Sequence, residues 1–396
     1  MTMLKYAARA LMKAPFMTTV AVVSLALGIG ANAAIFSIFD EMLLRSLPVQ
    51  EPERLVNLAN PGLKFGSTSC GSAGSCDEVF SYPMFRDLEE AETGFSSLAA
   101  HKTIGVNLSL DGRTVSGEGL LVSGGYFPTL GVQPRLGRLL SGIDDENIGE
   151  HFVAVLGHDY WERELGADPG VLNQTLVVNG HPMTVVGIAP DGFDGTTLGN
   201  KPDVYLPITM REVLTPTWSG FDNRRSYWIY VFGRLAPGVT MQQADARSNA
   251  LYSGIINDVE APLQTGISDQ QMEQFRARKL VLSEGYRGQS NMHQDASTPL
   301  IMLFCITGLV LLIACANVAN LSSPNRCCLA SSAGWPASWW RTGPWVSWPA
   351  CYRRRKRRPW PSGSGLRCSS SPAFWRSGRA CSSASTPRFT APGGIW

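Results

Sequence analysis

The sequence predicts an α+β domain of two lobes, placed outside the cytoplasm between two transmembrane α-helices. Three observations carry that expectation. Residues 18–39 and 299–321 contain no charged side chain, and a helix rising about 1.5 Å per residue crosses a hydrocarbon layer of ~30 Å within such a length. Lys5, Arg9 and Lys13 precede the first run, whereas Asp40 and Glu41 follow it. Lys and Arg are retained on the cytoplasmic side, so the N-terminus is expected inside and the interval between the runs outside. That interval mixes strand-like and helical segments without a regular βαβ alternation, the pattern of an α+β domain. The expected divisions are a cytoplasmic basic segment (1–16), a first transmembrane helix (17–40), an extracytoplasmic core domain (41–297), a second transmembrane helix (298–321) and a basic tail (322–396).

In the first segment Leu4, Ala7, Ala8 and Leu11 recur at helical spacing among the basic residues, which serve mainly as the flank that fixes orientation. Inside the first run, Ser24, Gly28 and Ala31, and likewise Gly30 and Ala34, are small residues three to four apart. Such a face lets a neighbouring helix approach closely. The stretch Ala31-Asn32-Ala33-Ala34 also resembles the small-residue cleavage site of a secretory leader. The apolar run continues past it through Ile35, Phe36, Ile38 and Phe39, so an uncleaved anchor is the expectation.

Residues 54–59 read as a strand, and 62–75 as a Gly/Ser-rich loop that contains Cys70 and is followed by Cys76. In an oxidising compartment these two cysteines are expected to close a small disulfide loop; a metal pair is the weaker alternative, with no further Cys in the exported interval. Ser81 and Pro83 mark a helix start. Residues 103–110 and 113–122 pair as a hairpin about Asp111-Gly112, and 175–178 with 182–189 about Asn179-Gly180. A short helix is expected between Gly125 and Gly131, a strand over 152–156, and a helix over 158–165 ended by Gly166. Further strands fall at 204–207, 226–235 and 279–283, and the longest soluble helix at 241–259.

The net charge of +2 conceals a division. From Ser322 onward there are 11 Arg, one Lys and no acid, a charge of +12, which leaves −10 on residues 1–321. The same tail holds eight of the 11 Trp and five of the 9 Cys, with no helical or strand period. Three readings compete: a nucleic-acid or anionic-lipid arm built on residues 353–358 and Trp360, a disordered basic tail, and translation in a shifted frame of GC-rich DNA. The third accounts best for Trp and Cys at this density.

Signatures of catalysis are missing. The chain has no Gly-x-x-x-x-Gly-Lys-Ser/Thr loop, no His-Glu-x-x-His and no Gly-x-Ser-x-Gly elbow. His151, His158, Asp159 and Glu162 lie near one another, but His158 and Glu162 at helical spacing read as a surface pair rather than metal ligands. No catalytic residue, cofactor or metal is expected, and the chain is not expected to be an enzyme or to bind nucleic acid.

The run Gly28-Ile29-Gly30-Ala31-Asn32-Ala33-Ala34-Ile35-Phe36-Ser37 resembles the MacB/FtsX-like permeases of ABC systems. So do Ser81-Tyr82-Pro83-Met84-Phe85-Arg86-Asp87-Leu88 and Ser123-Gly124-Gly125-Tyr126-Phe127-Pro128 with Pro134, Gly137 and Arg138. Val153-Ala154-Val155-Leu156-Gly157-His158, the pair Asn179-Gly180, Val185-Val186-Gly187-Ile188-Ala189-Pro190 and Ala314-Cys315-Ala316-Asn317 continue the likeness, which covers about 3–321 and is strongest to the large acidobacterial members. The resemblance implies a MacB-like periplasmic core domain, an inner-membrane location and a non-catalytic permease subunit of an efflux or mechanotransmission system. It further implies a separate cytoplasmic ABC ATPase, a second permease copy and periplasmic partners, beside membrane lipid. After Leu321 the family's coupling helix and further spans are not recognisable, so the permease is expected to be truncated here. The rival expectation is a two-span membrane sensor with an extracytoplasmic ligand-binding domain, which should continue into a helical linker and an output domain.

Overall fold

The computed structural model describes residues 15–40, 45–110 and 112–322. The basic segment before residue 15, Asp111 of the hairpin turn and nearly all of the tail lie outside the described residues.

The chain begins with helix α1 (Pro15–Phe39), then β1 (Leu55–Ala59), β2 (Ser67–Thr68), β3 (Val79–Phe80) and α2 (Tyr82–Glu89). Strands β4 (Phe95–Leu110) and β5 (Arg113–Val122) precede α3 (Tyr126–Leu130), β6 (Leu136–Gly137), β7 (Val153–Leu156) and α4 (His158–Leu165). Next come β8 (Thr175–Val178), β9 (His181–Ile188), β10 (Val204–Pro207) and α5 (Arg211–Leu214). After β11 (Ser226–Tyr227) and β12 (Ile229–Leu235) the chain forms α6 (Met241–Gly254), α7 (Asp269–Arg276), β13 (Val281–Glu284) and α8 (Met292–Ser322).

Local chemistry explains the boundaries. Ser81 caps α2, its hydroxyl accepting from the Met84 N–H at 3.4 Å, and Pro83 costs nothing in a first turn whose N–H groups have no helical partner. Thr240 caps α6 with Gln243 reaching back, a capping box. Gly166 ends α4 in the left-handed region, with φ 62°. The helix expected over 241–259 is α-helical only to Gly254; residues 255–260 widen into a π-turn.

Two lobes share the long strand β4. The first contains β1, α2, the first half of β4, β12, α6 and β13, with strand order β13-β1-β12-β4, every pair antiparallel. This is the split βαβ arrangement, in which two helices cover one face of a four-stranded sheet. The second lobe is inserted between β4 and β12. There the pairings β4-β5, β5-β10, β10-β7, β7-β9, β9-β8 and β8-β4 return to their starting strand and close a ring.

Strand periodicity fills that ring. Val106, Leu108, Leu121, Leu156, Leu176, Val178, Met183, Val185, Val204 and Leu206 belong to one buried cluster. Their alternate neighbours Leu120, Val122, Val155 and Tyr205 belong to a second, with Tyr126, Phe127 and Phe193. Strands β5, β7 and β10 therefore contribute one face to a packed interior and the other to an aromatic layer outside it. The α+β class with two lobes expected from the sequence is the architecture found.

Candidate functional site

The two apolar helices enter and leave the core domain side by side, and the base they form is the candidate site. Thr298–Ala316 within α8 is 19 residues long and apolar enough to cross a membrane; the apolar stretch Val22–Ser37 in α1 is shorter. The helices touch at Gly28, where an added Cβ would stand 2.9 Å from Leu311 Cδ1. The Thr307 hydroxyl donates to Asn32 Oδ1 at 3.0 Å, and Asn32 Nδ2 donates to Gly28 O at 2.8 Å. Of the small residues singled out from sequence, Gly28 faces the partner helix, Gly30 has nothing within 4 Å of a Cβ position, Ala31 is half-buried, and Ser24 and Ala34 are exposed. Asn32, the polar link, was legible in the sequence only as a lone amide in an apolar run.

Beyond the helices the linkers are tied together. The Leu47 N–H donates to Tyr286 O at 2.9 Å, the Gly285 N–H to Leu55 O at 2.8 Å, and Gln50 N–H to Leu130 O at 3.2 Å. The Arg234 side chain reaches the carbonyls of Thr129 at 2.7 Å and Glu51 at 3.0 Å. Asn57 Nδ2 donates to Gly288 O at 2.8 Å. Gly288 takes φ +81°, and a Cβ there would sit 2.1 Å from Thr196 O. Only glycine allows this approach, which lets the Gln289 N–H donate to the same oxygen at 2.8 Å.

Gln289 then enters the core. Its Nε2 donates to Val231 O at 3.1 Å, so its Oε1 is the acceptor facing His101 Nε2 at 2.8 Å, and His101 must carry its proton on Nε2. Thr196 completes the network: its N–H donates to the Tyr126 hydroxyl at 3.0 Å, and that hydroxyl stands 3.1 Å from Thr196 Oγ1. His101 is fully buried among the rings of Tyr126, Tyr230 and Phe232. Burial lowers its pKa to about 4, so the imidazole is neutral at physiological pH. The same burial pushes the Tyr126 phenol upward. The network therefore joins strand β4, helix α3, the loop after β9 and the segment entering α8 through neutral, directional bonds.

Tyr126→Phe should lower stability by about 1–3 kcal/mol, because the buried Thr196 N–H loses its acceptor. Tyr205→Phe removes one longer bond, to Phe193 O at 3.3 Å, and should cost less. Thermal melts of the two variants compare them; equal losses would refute the role given to Tyr126.

Elsewhere, Cys70 and Cys76 stand 5.1 Å apart at Cα, within the reach of a disulfide. His158 packs its ring on Trp161 with Asp191 at 3.8 Å, and among the described residues no group of three His, Cys, Asp or Glu is arranged to hold a metal ion.

The class of protein the fold defines is a two-lobed mixed α/β domain tied at one end to a pair of apolar helices, one of them long and apolar enough to cross a membrane. The profile of the MacB-like periplasmic core domain matches residues 18–251. The chain belongs to that family. Among solved structures it is similar to the periplasmic region of MacB from Actinobacillus actinomycetemcomitans, with TM-score 0.41 and 13% identity over 59% of this chain and 89% of that one. It is also similar to a permease-protein domain from Porphyromonas gingivalis, with TM-score 0.37 and 19% identity over 62% and 97% of the two chains. The extracellular domain of the noncanonic ABC-type transporter YknZ from Gram-positive bacteria gives TM-score 0.36 and 14% identity over 50% and 91%. No curated protein matches the chain.

Proposed function

We propose that the chain is a non-catalytic permease subunit of a MacB-like ABC system, anchored in the inner membrane with its N-terminus cytoplasmic and its core domain periplasmic. A separate cytoplasmic ATPase drives it, and a second permease copy and periplasmic partners complete the assembly. The observation that supports this reading is the base of the domain. Two helices that touch through Asn32 and Thr307 continue into linkers bonded to each other at Leu47 and Tyr286. One linker is keyed into both lobes through Gln289, by bonds to His101 and Val231 in the first and to Thr196 in the second. A tilt of the helix pair on one side of a membrane then moves the domain on the other, because packed elements shift as rigid bodies.

Co-expression with the ABC ATPase encoded beside this gene tests the proposal. The ATPase should co-purify with the chain in detergent, and its hydrolysis rate should change on association. Failure of both, together with saturable binding of a small ligand to the core domain, would favour the sensor instead.

The bond between Cys70 and Cys76 belongs to the same proposal, since a periplasmic domain folds in an oxidising compartment. Peptide mass spectrometry of alkylated chain taken from cell membranes should find these two cysteines unmodified and joined. Recovery of both as free alkylated thiols would argue for a cytoplasmic domain.

A further inference from the structure

A cleft of about 370 Å³ opens on the second lobe, at the end where β4 and β5 join. The hairpin end, helix α4 and the turn that runs from residue 168 into β8 wall it. Leu110, Val115, Leu165 and Val171 make those walls largely apolar. A space of this size and lining suits a small molecule with an apolar body and a single polar end.

The charged groups select that polar end. Glu164 on α4 is answered across the cleft by Arg113 of β5 at 3.9 Å. Asp168 also lines the cleft, and its Oδ1 accepts the Gly170 N–H at 2.8 Å. Its Oδ2 has no partner among the described residues. Two carboxylates thus face one guanidinium, and the charge left over is negative.

A second observation, independent of the carboxylates, points to a ligand. Tyr160 lines the same cleft and is 4% exposed. Its hydroxyl has no hydrogen-bond partner among the described residues, yet it is not sealed from solvent. Burial raises its pKa; Asp203 and Glu164 add to the rise and Arg113 opposes it. The phenol is therefore neutral, and its oxygen lies within reach of Glu164 and Arg113, two charges of the lining. Hydroxyls of buried residues are nearly always satisfied, so one left open toward a cleft marks the place of a missing partner.

Three acceptors then wait on one opening: Asp168 Oδ2, the Tyr160 hydroxyl oxygen and the Gln174 amide oxygen. A primary ammonium carries three N–H donors and a positive charge, and it answers all three. An anion would meet the unanswered carboxylate, and a cation without N–H would leave the phenol unpaired. We propose that this cleft binds a small primary amine with an apolar body. Its ammonium donates to Asp168, Tyr160 and Gln174, and the leucine and valine walls cover its hydrocarbon part.

The test measures binding of radiolabelled phenethylamine to the full chain in detergent by equilibrium dialysis, with empty micelles as the blank. One saturable site is expected. The trimethylammonium counterpart, which has no N–H, should bind about tenfold more weakly. Asp168→Asn keeps an oxygen for the Gly170 N–H and should weaken amine binding about tenfold. Tyr160→Phe should weaken it about fivefold without lowering the melting temperature, because the hydroxyl makes no bond in the free chain. Asp269→Asn, on α7 and outside the cleft, should bind like the parent. Absence of saturable binding, equal affinity for the two cations, or an Asp168→Asn variant that binds like the parent overturns the proposal. So does a Tyr160→Phe variant that melts earlier but binds normally, since that marks a structural hydroxyl. Amine binding leaves the permease reading in place, because that reading fails on loss of ATPase association.

Discussion

Gly288→Ala should lower the melting temperature of the chain by roughly 6–12 °C, corresponding to about 3 kcal/mol or more for a domain of this size. Two costs combine. Gly288 takes φ +81°, a region that charges an L-residue about 1–2 kcal/mol. The added Cβ would also stand 2.1 Å from the backbone oxygen of Thr196, and no rotamer moves it, because a Cβ has none. The segment must withdraw, which breaks the Gln289 N–H bond to Thr196 at 2.8 Å and loosens the Asn57 bond to Gly288 O. Each such bond contributes about 1 kcal/mol net.

Gly238→Ala separates the two costs. Gly238 has φ +77° with nothing within 4 Å of a Cβ position, so it carries the conformational cost alone. The excess loss of Gly288→Ala over Gly238→Ala measures the close approach at the base. The same variant should weaken any coupling between an ATPase and the core domain, since Gln289 is the residue that carries the linker into the His101 network. Melts that coincide for the two alanine variants would show that the base tolerates an extra methyl, and the tight junction proposed here would be wrong.

Local chemistry made much of this fold legible. The hairpin about Gly112, the Ser81 cap, the Gly166 stop and the Asn179-Gly180 turn each depend on residues within one turn of each other, and each is where sequence placed it. The first half of β4 was not legible. Residues 98–102 are buried on both faces, so Leu98-Ala99-Ala100-His101-Lys102 shows no alternation to read. Closure of the barrel was equally hidden, because it depends on pairing Leu108 with Val178, and single-sequence periodicity gives faces but not partners. The site was the least legible part. His101 and Gln289 meet across 188 residues of sequence, and neither belongs to a motif; a lone His and a lone Gln read as ordinary residues until the fold brings them together.

The buried carboxylate and the buried imidazole should give the chain opposing responses to acid. Asp145 is 7% exposed, its Oδ2 accepting the Gly124 N–H at 2.9 Å, and burial raises its pKa from 3.8 to about 6. A raised carboxyl favours the native state when protonated. Its contribution is complete below pH 3.8 and is lost as pH rises through about 6. His101 behaves in reverse. Its pKa falls from 6.5 in the unfolded chain to about 4 in the folded one, so its contribution is complete above pH 6.5 and is lost as pH falls toward 4. Each swing is about 3 kcal/mol, and between pH 4 and 6 the two slopes have opposite sign and similar size. The parent chain should therefore show a flattened stability across that window as far as these two groups govern it. Asp145→Asn keeps a carbonyl oxygen for the Gly124 N–H while removing the titration, and should raise stability at neutral pH. It should also expose the His101 slope, so that the variant loses stability on acidification from pH 6.5 to 4 more steeply than the parent. Chemical denaturation at several pH values, read as the difference between variant and parent, cancels groups whose titration Asp145 does not influence, such as Glu260, which burial also raises. A difference that stays constant from pH 4 to 7 would mean that Asp145 titrates in the folded chain as it does in the unfolded one.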